Sequence, residues 1–198
     1  MKIAAVIVPL IGWIASATPI TYVATLSGPG ESPANFSPGT GSAEVIIDTT
    51  ANTLFVDIIS FSGLTAPTTA SHIHCCTAAP LTGIAGVATQ VPSFVGFPLG
   101  VTAGNFMNTF DMTLSSTWNP AFITASGGTP AGAAAALAAG LAAGEAYLNI
   151  HTTAFPNGEI RGFLVPTMVT AAVPEPATVA VSAAVLLGLA GWRRRRAL

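Results

Sequence analysis

Charge is what this chain has least of. Only 7% of its 198 residues are Asp, Glu, Lys or Arg, against roughly a quarter in ordinary soluble domains. Between Lys2 and Arg193 the sole cationic side chain is Arg161. Of the 8 acidic residues only Glu175 lies outside Thr18 to Ala172, so that stretch holds seven acids against one arginine, a formal −6. Nucleic-acid binding needs clustered Lys and Arg, and no such cluster exists in the body.

Cysteine is nearly missing too. Cys75 and Cys76 are the only two, and being adjacent they cannot staple distant segments. Four readings stay open: a vicinal disulfide, two buried thiols, a bond to another chain, or soft-metal ligands beside nearby histidines. The sequence also lacks G-x-S-x-G, and no Ser or Cys is set beside a base by a recognisable motif, so an enzyme is not expected. Glu145 and Glu159 flank one hairpin, but two carboxylates work as an acid/base pair only when they face each other in a cleft. Internal repeats and heptads are absent.

Apolar residues are abundant, at 51%, and their distribution sorts the chain into three parts. Residues 1–17 combine Lys2, an apolar run and Ala15-Ser16-Ala17, which reads as an export signal with a mature start near Thr18. Residues 169–198 hold Pro174-Glu175-Pro176, a continuous apolar segment over 178–192 and the cluster Arg193, Arg194, Arg195 and Arg196. At about 1.5 Å per residue that segment spans some 22 Å, short for a bilayer helix, and the arginines belong on the cytoplasmic side. Motif, short span and arginine cluster, in that order, resemble the PEP-CTERM sorting signal. The resemblance implies transient membrane insertion, recognition by the export machinery and an exosortase, and a cell-surface or extracellular destination. A permanent tail anchor is the plainer alternative.

In the body, 18–168, apolar residues alternate with Thr, Ser and Asn. Strands are predicted at Pro19 to Ser27, Ser42 to Asp48, Leu54 to Phe61, Ala70 to Cys76, Phe106 to Leu114, Ala146 to Thr152 and Glu159 to Val165. The second and third form a hairpin, and the last two are joined through an Asn157-Gly158 turn. Thr129-Pro130 and Gly144 bracket an alanine-rich helix as N-cap, first turn and stop signal. Gly140 inside it costs about 1 kcal/mol relative to Ala. The helix is apolar nearly all round and has no Lys or Arg, so it packs on the sheet rather than on a membrane surface. The expected fold is mainly β, an antiparallel sandwich or barrel of about seven to nine strands with one short helix, plus a signal helix and a C-terminal hydrophobic helix.

Gly41-Ser42-Ala43, Ser71-His72-Ile73-His74, Tyr147-Leu148-Asn149-Ile150-His151-Thr152 and Gly158-Glu159-Ile160-Arg161-Gly162 together resemble the CHRD (chordin-type) domain over roughly residues 20–166. The pattern departs after His74, where Cys75-Cys76 replace the glycine and small residues common there. The resemblance implies an extracellular β-rich module and supplies no reaction.

Side chains two apart on a strand share a face, so His72 joins His74, Asn149 joins His151, and Glu159 joins Arg161. If the motif strands are neighbours, three imidazoles converge, a set suited to Zn or Cu, with Glu159 or Glu145 as fourth ligand or outer support. The alternative makes these groups structural, the histidines hydrogen-bonded and Glu159 paired with Arg161. Two functions follow. The first is a noncatalytic surface module for adhesion or matrix, with surface polysaccharide or other matrix components as partners. The second is an extracellular metal or redox protein using His72, His74 and His151.

Overall fold

A computed structural model describes residues 18–167. The export signal, the sorting tail and its arginines lie outside the described residues. Eight strands form one antiparallel sheet: β1 (Ile20–Ser27), β2 (Thr40–Asp48), β3 (Thr53–Ser62), β4 (Thr68–His74), β5 (Gly104–Asp111), β6 (Tyr147–Thr152), β7 (Ile160–Phe163) and β8 (Val165–Pro166). The order is β4-β6-β7-β1-β2-β3-β5, with β8 paired to β1, and the sheet curls into a half-barrel. The expected β architecture therefore takes the form of one continuous curled sheet.

The alternation that predicts the β2–β3 hairpin also fixes its register. Val45 pairs with Val56 and Ile47 with Leu54, all four buried, while Glu44 meets Asp57 on the other face. A one-residue slip would turn every one of these apolar side chains to water. At about 1.5–3 kcal/mol per fully buried aliphatic side chain, that penalty settles the pairing.

Among the described residues two α-helices are present where one was expected. α1 (Pro120–Ala125) overlaps Trp118 to Ile123, a stretch whose pattern favours neither helix nor strand. Six residues are too few for a helical period to show. Its signal is local: Asn119 caps it by accepting from the Ala121 N–H at 3.0 Å, with Pro120 following. α2 (Pro130–Ala143) starts and stops as the sequence indicates. Thr129 Oγ1 accepts from the Gly132 N–H, and Gly144 closes the helix in the left-handed region at φ 71°. Leu137 and Leu141 of α2 are buried in the same core as Ile73, Leu148 and Ile150 of the sheet. Among the described residues no helix is long and apolar enough to cross a membrane.

Candidate metal centre

The topology makes β4 and β6 neighbours. Their antiparallel ladder sets His72 opposite Asn149, His74 opposite Tyr147 and Ala70 opposite His151. Directly opposed and alternate residues share a face, so His72, His74 and His151 lie together on one side of the sheet. Each is buried, between 6% and 8% exposed. One ring nitrogen from each falls within 4.8 Å of the others.

Backbone carbonyls decide which nitrogens those are. His72 Nε2 lies 2.6 Å from the Pro92 oxygen, His74 Nδ1 2.9 Å from the Ala85 oxygen, and His151 Nδ1 3.0 Å from the Pro156 oxygen. A carbonyl only accepts, so each of these nitrogens carries the ring's proton. Burial drives the pKa of His72 and His74 down to about 4, against the opposing pull of their carbonyl partners, and lowers that of His151 likewise. The rings are therefore neutral at pH 7, with bare lone pairs at His72 Nδ1, His74 Nε2 and His151 Nε2. His72 Nδ1 and His151 Nε2 stand 3.2 Å apart with no proton for either to donate. His74 Nε2 is buried without any hydrogen-bond partner.

Three lone pairs facing one another repel. A cation placed among them converts that repulsion into three bonds. Imidazole nitrogens about 2.0–2.1 Å from one Zn or Cu ion stand roughly 3.2–3.5 Å apart, which matches the closest pair. Metal-bound histidines commonly donate their second N–H to a carbonyl or carboxylate, and all three do so here. The residues fit a metal.

The other predicted site residues fall elsewhere. Glu159 and Arg161 do not pair with each other. The β6–β7 ladder is regular from Tyr147–Phe163 to Ile150–Ile160, but the Glu159 N–H bonds to Ile150 O beyond it. This shift carries the Glu159 side chain to Thr152, Ser37 and Thr65, on the face opposite the histidines. Glu145 is only half-buried, and no carboxylate joins the cluster among the described residues, so neither Glu145 nor Glu159 serves as a fourth ligand. Cys75 and Cys76 are bonded to each other. Cys75 is buried in the apolar core, and Cys76 Sγ lies 3.7 Å from the Ala136 oxygen of α2. The sulfurs are not part of the histidine cluster.

Arg161 instead faces Glu31, with Nε 3.8 Å from the carboxylate, and donates to the Gly30 and Gly83 carbonyls at 2.6 and 3.0 Å. Its guanidinium carbon lies 4.5 Å from the centre of the Tyr147 ring, which stacks on His74 at 4.8 Å and 7°. Asn149, across from both His72 and Arg161, keeps a buried Oδ1 without a partner. The ring-holding carbonyls of Ala85, Pro92 and Pro156 leave no trace in side-chain identity. Glu31 had a weak signal, being the lone acid in a Gly-, Pro- and Ser-rich loop.

The Glu31 side chain is only 6% exposed. Burial raises its pKa from 4.5 to about 7, with Arg161, Ser32 and Asn149 pulling the other way. The folded state thus keeps a proton that the unfolded chain has released. Stability from this group is full below about 4.5 and is lost as pH rises through about 7, at most about 3 kcal/mol. Urea denaturation at pH 5 and pH 8 is expected to show that loss in the wild type and little of it in Glu31→Gln. Equal slopes in the two proteins would refute the assignment.

Comparison with protein families places both halves of the sequence. The model of the CHRD domain matches residues 22–164, and that of the PEP-CTERM protein-sorting motif matches residues 172–196. No curated protein and no solved structure matches. The sorting motif marks an exported, exosortase-sorted protein that passes through a membrane-associated intermediate to the cell surface or exterior. With well over half of the chain inside the first match, this protein belongs to the CHRD-domain family and carries a PEP-CTERM sorting tail.

Proposed function

We propose that this exported module is a binding protein rather than an enzyme, and that its ligand is one transition-metal ion, Zn or Cu, held by His72, His74 and His151. One observation carries this reading: every imidazole spends its proton on a carbonyl, leaving three buried lone pairs on nitrogens within 4.8 Å of one another. A purely structural histidine cluster would place a proton in the 3.2 Å gap between His72 and His151. A cell-surface or matrix setting suits such a protein, because the metal reaches it directly from the medium.

Binding to the folded state alone stabilises it by RT ln(1 + [L]/Kd), about 4 kcal/mol at a thousandfold excess over Kd. For a domain of this size that raises Tm by about 10 °C. Elemental analysis of the purified protein is expected to find one metal per chain, absent from His72→Gln and His151→Gln, with the thermal shift lost in parallel. Glutamine keeps hydrogen-bonding capacity, so these variants are expected to fold. A metal-free wild type that shows no shift with Zn or Cu would end the proposal.

A further inference from the structure

Resting on the metal reading above, we infer that the site selects monovalent copper over Zn(II) and Cu(II). The first reason is charge. No Asp, Glu or Cys joins the three neutral rings among the described residues, so the complex would carry the full charge of the ion. Moving an ion out of water is costly, and by Born's relation the cost scales with charge squared, making a dication about four times as unfavourable as a monocation.

The second reason is the neighbouring cation. Arg161 caps a column in which its guanidinium covers Tyr147 and Tyr147 stacks on His74. A fixed positive charge one ring away from a ligand opposes each added unit of metal charge. Glu31, beside Arg161 at 3.8 Å, is the one carboxyl next to this column among the described residues. It offsets the guanidinium only in part, being a buried acid that holds its proton to about pH 7.

The third reason is coordination number. Zn(II) takes four ligands in almost all protein sites, and Cu(II) favours a tetragonal set. Monovalent copper has a filled d shell and is satisfied by three nitrogens in a plane. Here the three rings offer one free nitrogen each and no side-chain fourth ligand. His74 Nε2 is already sealed from solvent, which leaves little room for a bound water to complete a tetrahedron.

The test uses the full wild-type chain under argon. Copper(I) is presented as its bicinchoninate complex, and Zn(II) and Cu(II) are each presented in competition with a chromophoric chelator. Copper(I) is expected to bind at one per chain and at least 100-fold more tightly than Zn(II), and to be lost in His72→Gln. Zn(II) or Cu(II) binding as tightly as Cu(I), and through the same histidines, would overturn the selectivity while leaving the metal reading intact. No binding of any of the three, or binding unchanged in His72→Gln, would overturn both.

Discussion

Glu159→Ala is expected to cost the domain roughly 3–6 kcal/mol and to lower Tm on the order of 10–20 °C. Glu159 is fully buried at 0% exposure, with no cation beside it among the described residues. Its Oε1 accepts from the Ser37 hydroxyl and the Thr65 N–H, both at 2.5 Å, and its Oε2 from the Thr152 hydroxyl at 2.6 Å. Burial alone would raise its pKa, but these bonds prevail and hold it below the usual 4.5. One carboxylate thus ties together the loop before β2, the β3–β4 connection and the end of β6. Alanine leaves two buried hydroxyls, those of Ser37 and Thr152, and the part-buried Thr65 N–H without this acceptor, at about 1–3 kcal/mol each. The whole stability of a domain is only about 5–15 kcal/mol.

Glu159→Gln separates charge from shape. Its oxygen still accepts from Thr65, and its amide can donate to the Thr152 hydroxyl, so roughly 1–3 kcal/mol is expected to be lost. In the wild type the folded pKa is depressed, so the stability due to Glu159 is present above about 4.5 and disappears as pH falls through the folded value. Urea denaturation between pH 3 and pH 6 is expected to show this acid loss in the wild type and not in the glutamine variant. A glutamine variant as damaged as the alanine one would show that the negative charge carries the whole effect and that the shape and hydrogen bonds glutamine keeps contribute nothing measurable.

Local features were legible in the sequence where their cause is local. Thr129, Pro130 and Gly144 bracket α2 because caps act within a turn, and alternation in β2 and β3 reveals their register because each face meets a different solvent. The shared face of His72 and His74 followed from strand period alone. What stayed hidden depends on distant neighbours. Nothing near Arg161 points to Glu31, some 130 residues away in a loop. The shift that sends Glu159 away from Arg161 is a ladder irregularity, so simple i, i+2 reasoning put the two on one face. The decisive partners of the histidines are the carbonyls of Ala85, Pro92 and Pro156, and every residue type has a carbonyl. Period and composition predict a convergent cluster; only the long-range fold shows that its lone pairs are bare.

Gly140→Ala reads as stabilising from helix propensity, yet it is expected to destabilise. Propensity alone would gain about 1 kcal/mol for removing glycine from a helix interior. Gly140, however, sits where α2 crosses the Cys75–Cys76 disulfide, and a Cβ there would collide with both sulfurs. Neither sulfur can rotate aside while bonded to the other, so the clash has to be relieved by moving the helix off the sheet. Overpacking of this kind costs about 1–3 kcal/mol and occasionally more, which set against the propensity gain of about 1 kcal/mol leaves a net loss of up to about 2 kcal/mol. The sign should reverse when the sulfurs are removed. In a Cys75→Ala, Cys76→Ala background the next neighbour of the new methyl is the Cβ at position 76, at 3.4 Å, an ordinary contact. There Gly140→Ala is expected to stabilise by about 1 kcal/mol, giving a coupling of about 1–3 kcal/mol across the double-mutant cycle. Matching effects in both backgrounds, measured by urea denaturation, would mean that the disulfide does not pack on α2. That outcome would also remove the physical reason for a glycine at this point of an otherwise alanine-rich helix.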